Sequence, residues 1–435
     1  MYIEASSPHQ PGDDAKLYSP ALKFFGIMCL EFYYYMSGAS IGSLNVTVNK
    51  TLVFSASGHK GDVWNKASIN ISSIVGLHWV IFEGVVGSSY TGDIAIDDFS
   101  LKAGSCFYDC FIYHFETYQD LSIGAVAVEY FTIKGSLFLA FANFLNSTFI
   151  YKFSDSTRKF FLYETLDTKN VWDIEYFTIS DEHYLAVTNL FNTSVIYRWN
   201  GQLFTPFENT AARAWEFSFF TVDKEPYLAV SSLISSISRC IIYKWKNNTF
   251  EKFQVIEGPC SIDAFIIDNE TYFAQAGGLF VQRQSVVYKW SGESFSKLQT
   301  LPPASEIKFF NINEQVFLAL GSQRANPNSY IYKWEGSQFI LFQSISTNSS
   351  WVLCVHSFVM CGQMFLGFTD MDNDKSTLYR FSLDKFTKYQ EISTFGPADM
   401  RSFEYKGYTY LAIANTRNSA QRSTKSTLYK WTTGM

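Results

Sequence analysis

Residues 220–254 read FTVDKEPYLAVSSLISSISRCIIYKWKNNTFEKFQ, and this stretch decides the fold. It holds four short runs rich in aromatic and β-branched residues: one around Phe220, then Tyr227-Leu-Ala-Val230, then Tyr243-Lys-Trp245, then Phe250-Glu-Lys-Phe-Gln254. Asn247 and Asn248 separate the last two, as turn residues do between antiparallel strands. None of the runs is long enough for a helix, and their composition suits a pleated, half-buried surface.

Working outward, the same frame recurs seven times. The Tyr-Lys-Trp line appears at Tyr151-Lys152-Phe153, Tyr197-Arg198-Trp199, Tyr243-Lys244-Trp245, Tyr288-Lys289-Trp290, Tyr332-Lys333-Trp334, Tyr379-Arg380-Phe381 and Tyr429-Lys430-Trp431. Each copy follows a small-residue strand such as YLAVTN at 184–189 or FLALGS at 317–322. Seven residues before each of those strands stands a Phe: Phe131, Phe177, Phe220, Phe265, Phe310, Phe358 and Phe403. A further column is always Ala or Gly (Ala140, Ala186, Ala229, Ala274, Ala319, Gly367, Ala412), as crowding between converging sheets requires. A period near 45 residues divided into four antiparallel strands is one propeller blade.

The ends test closure. The seventh copy stops at Trp431-Thr-Thr-Gly-Met435 without its fourth strand, while Phe115-Glu-Thr-Tyr-Gln119 ahead of the first copy matches Phe386-Thr-Lys-Tyr-Gln390. Sharing one blade between the two ends seals the ring and leaves no open edge at the junction. Deletion of residues 107–122 is therefore expected to unfold or aggregate the propeller. The expected organisation is a sandwich-like unit at 1–106, a linker at 107–114, and a seven-bladed β-propeller at 115–435, with residues 115–121 closing the last blade.

Bulk properties narrow the function. The chain of 435 residues carries net charge −6, with 47% hydrophobic, 18% aromatic and 17% charged residues. No Lys/Arg cluster exceeds two adjacent residues, which speaks against nucleic acid as a partner. No apolar run is long enough to span a bilayer. Seven cysteines lack zinc-type spacing. N-x-S/T sequons at Asn45, Asn49, Asn70, Asn146, Asn192, Asn247, Asn269 and Asn348 point to an extracellular compartment.

The strand pattern φ-x-φ-F, YLAV-x-N, I-Y-K-W, F-x-x-Y-Q resembles the epilepsy-associated repeat, also called the EAR or EPTP repeat, over residues 115–435. Propellers of the tryptophan–aspartate class compete poorly, since only Trp172-Asp173 offers that dipeptide, at the wrong repeat position. The resemblance implies an extracellular protein-interaction platform, as in the leucine-rich glioma-inactivated family. Residues 1–106 have a different grammar. The stretches MYIEASSPHQPGDDAKLYSP at 1–20, CLEFYYYMSGASIGSLNV at 29–46 and HWVIFEGVVGSSYTGDIAIDDFSL at 78–101 resemble the MAM domain, the adhesion module of meprins, neuropilins and receptor-type tyrosine phosphatases. That resemblance covers the later two-thirds of the domain, implies a jelly-roll β-sandwich, and maps the family's remaining cysteine pair onto Cys29 and Cys106. It also leads us to expect further sequence before Met1, including the domain's first strand, a signal peptide or an anchor. Two more pairings are expected within the propeller, Cys354 with Cys361 across a hairpin and Cys240 with Cys260 between adjoining blades, with Cys110 left over.

The usual motifs of hydrolytic, nucleotide-binding and zinc chemistry are absent from the sequence. Asp370-Met-Asp372-Asn-Asp374 imitates a calcium loop but has Lys375 and Phe381 where the EF-hand requires Gly and Glu. Asp93, Asp97 and Asp98 in the GDIAIDD stretch either help fold the sandwich or ligate a cation. We expect no enzyme, no metal and no cofactor. One column carries chemistry of another kind: two residues before each repeated Phe stand Glu129, Glu175, Ser218, Asp263, Lys308, His356 and Arg401. If the first strands line the axis, acids occupy one arc and bases the other, giving a dipolar funnel that orients a charged partner segment. The alternative is mutual salt-bridging or plain solvation. Taken together, these readings give an extracellular or cell-surface adhesion protein that binds a protein receptor through its propeller. A structural matrix component without a dedicated receptor is the alternative, and a propeller-type hydrolase a more distant one.

Overall fold

The computed structural model describes residues 2–3, 8–24, 28–71, 76–89, 92–103, 106, 113–234, 237–258, 261–277, 284–312, 315–323, 328–347, 351–360, 362–371, 374–416 and 425–433. Among them there is no helix, and the chain divides into two compact units, Met1–Tyr113 together with Val359–Met364, and His114–Phe358 together with Phe365–Met435.

The amino-terminal unit is a sandwich of two four-stranded antiparallel sheets. One contains Met28–Ser37 between Asp93–Ala103 and Asn65–Ile71; the other contains Val80–Val85 and Ser43–Val48 flanked by Asp14–Tyr18 and Thr51–Ser57. Strict alternation along Ser43–Val48 sends Leu44, Val46 and Val48 inward to meet Leu30, Phe32, Met36 and Phe82 in one core, as a period of two dictates. Phe32 packs edge-on against Phe54 and Phe82, with centroids 5.3 and 5.0 Å apart. Cys29 and Cys106 form a disulfide with Cα atoms 4.7 Å apart, closing a separation of 77 residues.

The second unit contains seven four-stranded antiparallel sheets. Six are consecutive in sequence, blades 1 to 6 beginning at Ala127, Ile174, Ala214, Ile262, Ile307 and Val352. Blade 7 combines Pro397–Tyr405, Tyr408–Asn415 and Ser426–Thr433 with Tyr113–Leu121 as its outer strand. Two-residue turns with positive φ at both positions join many hairpins: Ser180-Asp181, Asp223-Lys224, Asn247-Asn248, Asp268-Asn269 and Leu383-Asp384. This is the geometry whose twist matches that of the flanking strands.

The repeated columns have distinct packing roles. The Ala column is fully buried. At Gly367, its one exception, an added Cβ would lie 2.3 Å from Met400 Sδ of the next blade, so the larger Met fills the space of the missing methyl. The repeated Phe stacks across the seam between blades on the aromatic that precedes its counterpart: Phe131 on Tyr176 at 4.6 Å, Phe177 on Phe219 at 4.5 Å and Phe265 on Phe309 at 4.2 Å. The cation of Tyr-Lys-Trp lies over a neighbouring ring, as Lys244 over Tyr227 and Arg380 over Tyr389.

The outer strands are clamped by the last residue of F-x-x-φ-Q. Gln254 donates to the Phe295 carbonyl and accepts from its N–H, both at 2.9 Å. Gln299 does the same to Phe339, Gln343 to Phe386 and Gln119 to Phe160. Gln390 holds Phe115 through two 2.9 Å bonds spanning 275 residues, completing the ring. In blades 1 and 2 the position is Glu164 and Glu208, and these carboxylates accept from the N–H of Phe204 and Phe250.

Cys354 is a free, buried thiol, and the expected pairing with Cys361 is corrected. Cys354 lies six positions before Met360 on one continuous strand, Val352–Met360, so the strand carries the chain roughly 20 Å away, far beyond disulfide reach. Cys361 itself, and likewise Cys260 and Cys110, lie outside the described residues; Cys240 is buried in the core of blades 3 and 4.

Candidate functional site: the central channel

The innermost strand of every blade is the edge of its sheet, so half of its backbone N–H and C=O groups have no ladder partner. Those groups need acceptors and donors from elsewhere, and the channel side chains supply acceptors blade by blade. Phe217 N–H donates to Asp173 Oδ2 and Phe219 N–H to Glu175 Oε1, both at 2.9 Å. Ile262 N–H donates to Glu216 Oε1, Phe309 N–H to Asp263 Oδ2 at 2.7 Å, and Val128 N–H to Asp399 Oδ2 at 2.9 Å. Neutral groups serve the same purpose elsewhere: Ile307 N–H donates to Ser261 Oγ and Ser402 N–H to His356 Nε2. Each side chain thus staples its strand to the next.

All seven residues of the sequence-predicted column line one cavity of about 340 Å³. The acids stand on blades 1, 2 and 4 and Lys308, His356 and Arg401 on blades 5 to 7, and the cations pair with acids where the two arcs meet. Lys308 Nζ lies 3.1 Å from Asp263 Oδ1 of the preceding blade, and Arg401 Nε lies 3.2 Å from Glu129 Oε2 of the following one. Arg401 Nη1 also binds Asp399. These are the mutual salt bridges of the alternative reading, formed sideways because adjacent innermost strands lie closer than opposite walls. The Cys354 Sγ stands 3.9 Å from Arg401 Nη1.

Sequence reasoning missed a second ring two residues earlier: Asp173, Glu216, Ser261, Glu306, Cys354 and Asp399, all lining the same cavity. The signal was present, since residues two apart share a face of a strand. It also missed the lip one residue further out, where Trp172 and Trp215 meet at 5.3 Å in an edge-on pair.

Burial makes ionisation costly here. It pushes Glu175 and Glu306 up to about 8. Burial likewise raises Glu129 to about 7, with Arg401 opposing, and Asp173 to about 6, with the Phe217 N–H opposing. Burial, with Arg401 and Lys308 nearby, holds His356 well below its usual value, in keeping with an Nε2 that accepts a backbone hydrogen bond. The thiol of Cys354 is pushed up by burial. Among the described residues no group of His, Cys, Asp or Glu is arranged to hold a metal ion.

Six of the eight glycosylation candidates are surface features. Asn49, Asn70, Asn146, Asn192, Asn247 and Asn269 are exposed. Asn45 is half-buried in a strand, within hydrogen-bond reach of Glu83 and Ser55, and Asn348 lies outside the described residues.

Comparison with known proteins adds the following. Residues 1–107 match the MAM domain, meprin/A5/mu. The EPTP domain matches residues 114–154, 159–200, 206–246, 294–335 and 385–432. These segments begin near the outer strand of one blade and end on the third strand of the next, which is the one-strand offset that lets the ring close. MAM domain-containing glycosylphosphatidylinositol anchor protein 1 of Gallus gallus is 48% identical over 114 residues, covering 24% of this chain and 12% of its own length. Protein 2 of that name from Mus musculus is 40% identical over 122 residues, 24% of this chain and 13% of its own. The chain therefore spans about an eighth of the length of these relatives. The Pseudomonas aeruginosa periplasmic gluconolactonase PpgL superposes with TM-score 0.50 over 67% of this chain and 88% of its own, at 11% identity, a likeness of fold alone.

Proposed function

With residues 1–107 a MAM domain and the sequence beyond them an array of EPTP repeats, we propose that this protein is an extracellular or cell-surface adhesion molecule that binds a protein receptor through its propeller. The single observation that carries the reading is how the channel uses its carboxylates. Asp173, Glu175, Glu216, Asp263 and Asp399 are bonded to backbone N–H groups of the next blade, and Glu129 to Arg401. A reaction centre keeps an acid–base pair free to meet substrate; here those groups tie blade 2 to 3, 3 to 4, 4 to 5 and 7 to 1, and the loops between strands are available for recognition. The Cys29–Cys106 disulfide and the exposed sequons support an oxidising, glycosylating compartment. The anchored relatives support a place at the cell surface.

The test is to display the full chain as bait against a library of cell-surface ectodomains. Saturable capture of a defined receptor by the propeller-bearing chain, lost when blade loops are replaced, is the expected result. Turnover of a lactone or glycoside by the purified chain, abolished by Glu175→Gln, would overturn the reading.

A further inference from the structure

The two sheets of the sandwich turn outer faces of different character to solvent. On the sheet built around Met28–Ser37, outward Glu31 is bonded to Lys66, Lys102 and Ser68, and Tyr35 to Asp62. The register of the other sheet divides its outer face into rows. One row is polar and linked from strand to strand: Lys16 reaches Glu83 at 2.8 Å, Asn45 Nδ2 donates to Glu83 at 3.4 Å, and Ser55 Oγ donates to Asn45 Oδ1 at 2.8 Å. The next row is Tyr18, Ile81, Thr47 and Leu52, paired in that order across four strands, and it carries no charge. Trp79 stands two residues before Ile81 and so on the same face. Tyr18 is 57%, Trp79 50% and Leu52 57% exposed. Large apolar side chains gathered on one face mark a surface that something covers.

The sequon Asn45-Val-Thr47 joins the two rows, since residues two apart on a strand share a face at a spacing of roughly 7 Å. Asn49, Asn146, Asn192, Asn247 and Asn269 stand at turns and loops, and Asn70 on an edge strand. Asn45 lies on Ser43–Val48, which has a strand on either side, so a sugar on its outward amide has to lie along the sheet. The amide carries two hydrogens, one for Glu83 and one that a sugar replaces. Beyond Asn45 in one direction lie Ser43 and Asp14; in the other lies the apolar row. The ring faces of an N-acetylglucosamine are C–H groups and its acetyl ends in a methyl, which match a phenol, an indole and Leu52, while its hydroxyls suit the polar row. We propose, resting on the extracellular compartment of the reading above but not on its receptor, that Asn45 carries an N-linked glycan whose first sugars lie over Tyr18, Ile81 and Leu52 towards Trp79 and close this face of the sandwich.

The test uses the full chain secreted from mammalian cells with high-mannose glycans. Site-resolved mass spectrometry should find Asn45 occupied. Endoglycosidase H, which cuts between the first two sugars, should release the Asn45 glycan from the folded protein at least ten-fold more slowly than that of exposed Asn247. Tyr18→Ser with Trp79→Ser, both at exposed positions, should remove the difference. Asn45→Gln should raise the binding of anilinonaphthalene sulfonate several-fold, and adding the two serines should cancel the rise, which a misfolded sandwich would not allow. The release rates need no Asn45→Gln protein and decide alone if that variant is not secreted. An empty Asn45 beside an occupied Asn247 overturns the proposal and leaves the proposed function standing, whereas sequons empty throughout would overturn both. Release at Asn45 as fast as at Asn247, or slow release that survives the two serines, also overturns the proposal.

Discussion

The ring of outer clamps makes a sharp prediction at Glu164. In five blades a Gln amide gives one hydrogen bond to a Phe carbonyl of the next blade and takes one from its N–H; in blade 1 the carboxylate of Glu164 takes the Phe204 N–H at 3.0 and 3.2 Å and, ionised, has no proton to return. Glu164→Gln should supply that donor. A net hydrogen bond is worth about 1 kcal/mol, so the variant should melt roughly 1–2 °C higher for a unit of this size. The mirror change, Gln254→Glu, removes the donor to Phe295 and should lower the midpoint comparably. The pH dependence separates this account from a generic surface effect. Burial raises the folded-state pKa of Glu164 above its unfolded value, so its favourable protonated form, able to donate like Gln, is fully populated below the unfolded pKa and lost as pH rises through the folded one. The advantage of Glu164→Gln should therefore be small in the acid range and grow towards neutrality. Differential scanning calorimetry of the three proteins decides it. Shifts of the same sign for Glu164→Gln and Gln254→Glu, or a Glu164→Gln advantage largest at low pH, would refute the reasoning.

Other expectations follow from the same geometry. Glu175, raised to about 8 by burial, should make the propeller lose stability as pH climbs from the usual carboxyl range to about 8. Glu175→Gln keeps an acceptor for Phe219 N–H and should flatten that part of a chemical-denaturation pH profile. Arg401→Met leaves Glu129 and Asp399 without their cation and should cost about 3–5 kcal/mol by urea titration, whereas Lys244→Met, at an exposed pair with Glu225, should cost under about 1 kcal/mol. Gly367→Ala should destabilise by crowding Met400, and Met400→Val by opening space; the double variant should be closer to wild type than the sum of the two. Cys29→Ser together with Cys106→Ser should lower the stability of the sandwich by about 4 kcal/mol, read as an earlier unfolding transition that leaves the propeller transition in place.

The repeat fixes much of the architecture because each column of like residues answers a local demand that returns every 45 or so residues. Blade number, strand order and the borrowed outer strand are all legible from Phe131 to Phe403 and from the match of Phe115–Gln119 to Phe386–Gln390. The sandwich alternation is legible at Leu44, Val46 and Val48 for the same reason. What the repeat does not carry is the partner of a side chain on the neighbouring blade. The column Glu129 to Arg401 reads as a dipole when viewed along the axis, yet its cations turn sideways to Glu129 and Asp263, because the distance between adjacent innermost strands is set by ring closure. The expected hairpin disulfide at Cys354 fails likewise: the spacing looked suitable on paper, but the strand runs straight past it. The sequence by itself thus determined the seven-bladed ring after a sandwich, since periodicity is a local property. Only the tertiary structure decided that the channel acids serve as staples, since an edge strand's unpaired N–H groups exist only once the sheets have formed and converged.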